Sequence, residues 1–319
     1  MTAEELKARE SLSGLTIQHS SFAEAYNTIL DTIEYNKSTQ SPEPNSILVL
    51  GESGVGKTTL NSNLLEVLPG KAEVKEEFNI VTKVPFFHSS LGTDATPSKM
   101  AADLLSSMGV EDRNKFAADK RIRFALKRAE TQAILYDELH NLAGSLTPHK
   151  IGLARGWIRD LITSTRVMII GFGTPNCEDI FLSEAQVYKR FPIVLRLKNF
   201  SFSLDPKSEF VIIVKTLERE ILRFHNLYSN VEPRLNEDFL IKLYATTGGS
   251  INAIKKLYEQ AQWIAFKSDK AFNLEKFQIA ANKLSFSTGI TKNGFRTDKQ
   301  LCLNMIANAQ EQRSLEEAA

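Results

Sequence analysis

At 319 residues, with apolar side chains at 42% and charged ones at 24%, the chain suits one large or two modest globular domains with ample core. A formal net charge of +1 removes any global basic signature for nucleic acid, although a neutral total can conceal a local basic face. Cys177 and Cys302 stand far apart and the five histidines are scattered, which argues against a disulfide framework or structural zinc and fits a reducing, cytoplasmic setting.

Met1 to Ser11 is charged and lacks the apolar core of a signal peptide, and no apolar run approaches the roughly 20 residues of a membrane helix. The spacing of Phe22, Ala25, Tyr26, Ile29, Leu30 and Ile33 predicts a helix over Ser21–Asn36, followed by a polar, proline-bearing linker to Asn45. Ile47–Leu50 reads as a strand that ends directly in glycine, and Lys57–Val67 as the helix after it. A second strand is predicted over Asn79–Phe87, and helices over Pro97–Met108 (N-cap Thr96) and, strongly basic, over Asp112–Glu130. Ala133–Tyr136 is a third strand. Pro148–Thr163 is a helix with Leu153, Trp157, Ile158, Leu161 and Ile162 inward. Val167–Phe172 and Ile193–Leu197 complete five strands.

Apolar strands alternating with helices predict a doubly wound parallel five-stranded sheet. After about residue 205 only helices are expected, over Ser208–Asn226, Asn236–Ala245, Ser250–Lys267 and Leu274–Leu284, with a weaker one around Lys299–Ala309 and no further strand. The expected divisions are an N-terminal helical segment and linker (1–45), an α/β domain (46–204), a smaller helical domain (205–285) and a tail (286–319) that docks on a partner or packs back on the helical domain.

Gly51-Glu52-Ser53-Gly54-Val55-Gly56-Lys57-Thr58 has the spacing G-x-x-x-x-G-K-[ST] between a strand and a helix. Its glycines let successive N–H groups turn toward phosphates. Lys57 is expected to reach the β- and γ-phosphates, and the Thr58 hydroxyl to ligate Mg²⁺. The helix N-terminus, continuing into Thr59, adds partial positive charge. The third strand ends in Asp137-Glu138. Asp137 is placed to hold Mg²⁺, and Glu138 to polarise a water in line with the γ-phosphate. With Glu138 filling that role, His140 reads as a structural hydrogen-bonder.

The loop at Gly51–Thr58, Asp137-Glu-Leu-His-Asn-Leu-Ala-Gly144, Ala95-Thr-Pro-Ser98 and the strand Val167–Gly171 leading to Gly173-Thr174-Pro175 together resemble the TniB/TnsC family over residues 17 to 265. These are AAA+ ATPases that regulate DNA transposition in bacteria. The resemblance implies ATP as the nucleotide and a base near Ile17 to His19. It implies Thr174 or Asn176 as sensor of the γ-phosphate. Arg190, with Lys189 second, becomes a finger reaching a neighbouring subunit, and that implies a ring or helical filament; the alternative is a surface arginine capping a helix end. Gly248–Ile254 resembles the start of the sensor 2 helix, but Asn252 stands where many relatives have arginine, with Lys255 and Lys256 one turn on.

Two basic helices are candidates for a duplex in such an assembly, one through Arg113, Lys115, Lys120, Arg121, Arg123, Lys127 and Arg128, the other through Arg155, Arg159 and Arg166. Charge runs of this kind usually read as solvated faces. No aromatic residue interleaves with them in a stacking pattern, so phosphate contact with duplex DNA is expected over single-strand stacking. The function implied is an ATP-dependent transposition regulator that joins a target-selection protein to a transposase. The alternatives are another AAA+ assembly ATPase, such as a helicase loader or initiator, and a P-loop small-molecule kinase.

Overall fold

The computed structural model describes every residue except 18, 40, 76–79, 94, 111–116, 145–146, 233 and 319. In chain order its elements begin with α1 (Ala3–Gly14), α2 (Ser20–Thr39), β1 (Ile47–Gly51), α3 (Lys57–Val67), β2 (Ala72–Lys75), β3 (Ile80–Lys83), β4 (Phe86–Ser90), α4 (Pro97–Ser107) and α5 (Ala118–Arg128). They continue with β5 (Ala133–Asp137), α6 (Asn141–Gly144), α7 (Pro148–Thr165), β6 (Met168–Gly173), α8 (Cys177–Leu182), α9 (Ala185–Tyr188) and β7 (Ile193–Leu197). The remainder is α10 (Glu209–Arg223), β8 (Asn230–Val231), α11 (Glu237–Thr247), α12 (Ile251–Lys267), β9 (Ala271–Phe272), α13 (Leu274–Lys283) and α14 (Lys299–Ala318). Among the described residues no helix is long and apolar enough to cross a membrane.

Residues 21–198 form one compact unit. Its sheet runs β4-β5-β6-β1-β7, with every pair parallel. Alternate strand residues enter two cores. Leu48, Leu50, Ile134, Tyr136 and Ile169 face α4, α5 and α7. Ile47, Val49, Leu135, Ile170 and Phe172 face α2 and α3. Burial on both faces is why these strands are apolar without alternation.

The second strand is not continuous over 79–87. Pro85 has no N–H to continue a ladder, and the chain breaks there. Ile80–Lys83 pairs instead with β2 as an antiparallel hairpin, and β4 begins at Phe86, opposite Ala133. Asn79 and the start of the basic helix, including Arg113 and Lys115, lie outside the described residues. Leu153 does not face inward: it is 50% exposed, and Ala154 takes the buried place on α7.

The second unit combines residues 1–20 with 199–319. The expected 1–45 segment is therefore divided. Ala8, Leu12 and Ile17 pack into the helical core, while α2 covers the sheet of the other unit. The tail packs back as well, with Phe295, Cys302 and Ile306 buried in that same core. Side chains of Ser208, Asn236, Ser250 and Asn273 cap the N-termini of α10 to α13. Two short strands exist where none was expected: β8 and β9 pair in parallel, and the Arg234 guanidinium donates to the Phe272 carbonyl beside them at 2.6 Å. Arg234 also forks onto buried Glu218 at 2.8 and 3.0 Å, and the Tyr258 hydroxyl donates to the same carboxylate at 2.6 Å. The pair is satisfied on several sides, as a buried charge requires.

Candidate active site

Parallel strands bring their C-terminal ends to one edge, where a doubly wound sheet binds ligands. Register places Leu50 of β1 beside Gly173 of β6, and Tyr136 of β5 beside Gly171. The phosphate loop, the acid pair and Thr174 therefore leave the sheet from three adjacent strands at that edge.

In the loop, Gly54 and Gly56 hold φ of 86° and 106°, the left-handed region that side chains resist. Val55 anchors the loop in the core beneath, and Thr58 and Thr59 stand exposed on the first turn of α3. Glu52 and Ser53 are exposed at the loop's tip. Lys57 Nζ donates to the carbonyls of Gly51 and Glu52 at 2.6 and 2.9 Å, so the ammonium is curled under the loop that a phosphate would fill. Burial pushes the Lys57 pKa down, opposed by the negative charges of Asp137, Glu52 and Glu138. The two motifs, about 80 residues apart in sequence, thus share one electrostatic site.

Glu138 adopts φ 60°, uncommon for a residue with a Cβ. What holds it there is the next residue. Leu139 lies against β6 where a Cβ on Gly171 would come within 2.3 Å of Leu139 Cδ1, and the Leu139 N–H donates to Phe172 O at 3.0 Å. Hydrogen bonds close the rest of the turn. Asn141 N–H donates to Glu138 O at 2.9 Å, Asn141 Nδ2 to Leu91 O at 2.7 Å, and Leu91 N–H to Asp137 O at 2.9 Å. Asp137 Oδ1 accepts the Glu138 N–H at 2.7 Å, and its Oδ2 lies 4.0 Å from His88 Nε2. His140 Nε2 lies 2.9 Å from Glu138 Oε2.

Of the other expected residues, Thr174 is half-buried at the end of β6 and Asn176 is exposed at the start of α8. Cys177, which sequence reasoning did not connect with the site, is buried close enough to Lys57 for its charge to matter, and burial pushes its thiol up to about 11. Arg190 is not a free cation. Its guanidinium pairs with both carboxylate oxygens of Glu43 in its own chain, while Lys189 beside it is exposed. Lys255 donates to Ser13 O and Leu15 O, capping the end of α1, and leaves Asn252 and Lys256 exposed on α12. Ile17 and His19 are buried in the helical unit, with His19 edge-on to the Phe200 ring; Gln18 lies outside the described residues.

On the basic helices the cations divide by the partners they hold. Arg123 pairs with Asp119, whose carboxylate also takes the Trp157 indole N–H at 2.7 Å, stapling α5 to α7. Arg155 binds Ile180 O and Glu184, and Arg159 binds Asp160, Glu184 and Gln186, tying α7 to α8 and α9. These three are internal fasteners. Arg121 is half-buried. The outward face of α5 is Lys120, Lys127 and Arg128, and Phe124 stands among them 66% exposed, so an aromatic does interleave with the basic residues.

A five-stranded parallel sheet with a glycine loop after one strand and an acid pair at the end of another, in a chain that also carries a helical unit, defines a P-loop ATPase of the AAA+ class. Residues 13–201 match the family described as bacterial TniB protein, and the chain belongs to that family. Solved structures agree on the fold. The Aeropyrum pernix Orc1 protein in complex with DNA aligns with a TM-score of 0.59 at 16% identity, over 86% of this chain and 69% of that one. Drosophila ORC bound to DNA aligns at 0.56 and 13% identity, over 88% and 66%. Cdc6p from Pyrobaculum aerophilum aligns at 0.52 and 13%, over 81% and 67%. No curated protein matches the chain.

Gly171→Ala is expected to displace Leu139 and, with it, the Glu138 turn. ATP hydrolysis should fall by at least about 10-fold while nucleotide affinity, measured by equilibrium titration, stays near wild type. Loss of stability should be about 1–3 kcal/mol.

Proposed function

We propose that this chain is an ATP-dependent regulator of DNA transposition. It assembles with ATP on duplex DNA as a ring or helical filament, links a target-selection protein to a transposase, and disassembles on hydrolysis. The observation that carries the reading is the Glu138 turn beside the Lys57 loop in a chain of the TniB family. That arrangement suits a timed hydrolysis.

In the reaction, Glu138 accepts a hydrogen bond from water and turns its oxygen toward the γ-phosphorus. The new P–O bond forms as the bond to the β–γ bridging oxygen breaks. That oxygen keeps the electron pair as ADP leaves, and the water's protons pass to phosphate and solvent. Lys57 exchanges the loop carbonyls for phosphate oxygens, and Thr174 or Asn176 senses the γ-phosphate. The Thr58 hydroxyl and Asp137 carboxylate are hard oxygen donors of the kind Mg²⁺ takes, and bound there Mg²⁺ supplies charge neutralisation. Lys189 is an exposed cation available to a neighbouring subunit. Arg190 joins it by releasing Glu43.

For DNA, of the wider set expected from sequence, the outward face of α5 is favoured by exposure: Lys120, Lys127 and Arg128 contact phosphates around Phe124. An initiator or helicase loader is the second reading, favoured by the fold likeness to DNA-bound Orc1 and ORC structures. Dependence on a transposase, rather than a helicase, separates the two.

Glu138→Gln should keep ATP affinity, slow hydrolysis by at least about 100-fold and hold the protein on duplex DNA. Hydrolysis at the normal rate would remove the role given to Glu138. Lys120→Ala with Lys127→Ala should weaken duplex binding and flatten the slope of log affinity against log salt by about 2; an unchanged slope would move the DNA to another surface.

A further inference from the structure

His140 follows Glu138 by two residues, and the turn brings its ring back against that carboxylate. Nε2 lies 2.9 Å from Glu138 Oε2, while Nδ1 is buried and faces no hydrogen-bond partner. A neutral imidazole carries one N–H, and the nitrogen that has an acceptor is the one that keeps the proton. Nε2–H therefore donates to Glu138. A carboxylate accepts through both oxygens, so this contact commits Oε2 and leaves Oε1 open to a second donor.

Among the described residues no second hydrogen bond or ion pair restrains the Glu138 side chain. Its backbone N–H is spent on Asp137 Oδ1 and its carbonyl on Asn141, so the backbone is fixed while the carboxylate rests on His140 alone among these contacts. Glu138 and His140 side chains are 46% and 39% exposed, so their pair is not what holds the turn together. That work falls to the seat of Leu139 and to the Asn141 bonds. A half-exposed glutamate without such a partner samples many rotamers, and aligning water requires one.

We propose that His140 is a positioning residue for ATP hydrolysis: through Nε2–H it holds the Glu138 carboxylate by Oε2, so that Oε1 is aimed at the attacking water. His140 takes no proton from the reaction and acts through Glu138. The inference rests on Glu138 as the water-polarising group. The opposite sense, in which the ring withholds Glu138 from water as a brake, predicts faster turnover when the ring is removed.

The full-length protein is compared with His140→Ala and His140→Gln, each alone and with Glu138→Gln. Readouts are kcat and KM for ATP, equilibrium affinity for a fluorescent ATP analogue, and the ¹⁵N resonances of the wild-type imidazole. His140→Ala should lower kcat by about 10- to 100-fold with KM and analogue affinity within about 2-fold of wild type. His140→Gln, whose amide N–H can stand where Nε2–H stood, should recover most of the loss. The imidazole should show its proton on Nε2. In the Glu138→Gln background, His140→Ala should have no further effect. An unchanged or raised kcat in His140→Ala, a Nδ1–H tautomer, or an undiminished effect in the Glu138→Gln background would each overturn the proposal. Full hydrolysis by Glu138→Gln alone would instead overturn the reading of Glu138 on which it rests.

Discussion

Leu139 occupies the room that Gly171 leaves on β6, and most of the site's geometry follows from that contact. The leucine is fully buried, so the turn before it cannot relax without exposing an apolar side chain. Glu138 is thereby held at a positive φ that would cost it about 1 kcal/mol or more in isolation. The strain is maintained by packing outside the site. Hydrogen bonds from Asn141 and Leu91 then tie the turn to the strand end next door, which makes the acid pair part of the sheet edge rather than of a loose loop.

The same economy governs the cations. A chain with a net charge of +1 spends several of its arginines internally. Arg123 staples α5 to α7, Arg155 and Arg159 tie α7 to α8 and α9, Arg234 sits against buried Glu218, and Arg190 is paired with Glu43. Other cations stay outward, among them Lys120, Lys127 and Arg128 around Phe124 on α5, and Lys189 beside the paired Arg190. A local basic face of that size suits phosphate contact whose strength depends on salt and little on sequence.

Much of the nucleotide-binding unit was legible in the sequence because its physics is local. Apolar runs without alternation announce strands covered on both faces, and β1, α3 and β7 begin and end close to where the pattern places them. The phosphate loop and acid pair were legible because their chemistry requires particular residues at particular spacing. What escaped was non-local. Pro85 does break the second strand, and its meaning was available, but the hairpin of β2 with β3 depends on pairing that no short window shows. The docking of α1 and of Phe295, Cys302 and Ile306 on the helical core depends on few apolar residues in weakly amphipathic segments. The glycines of β6 carried a signal that was not used: glycine inside a strand marks close approach, and here the approach is by Leu139. Charge counts along a helix could not distinguish Arg155 from Lys120, because only the fold brings Glu184 within reach of the first.

Under the proposed function, the state of the bound nucleotide decides whether the chain is assembled on DNA. Electron microscopy of the protein with duplex DNA and Mg²⁺, in parallel with ATP and with ADP, tests it most directly. The account predicts multi-subunit rings or helical filaments on the duplex with ATP, and dispersed protein with ADP. Separate, DNA-free monomers under both conditions would contradict it.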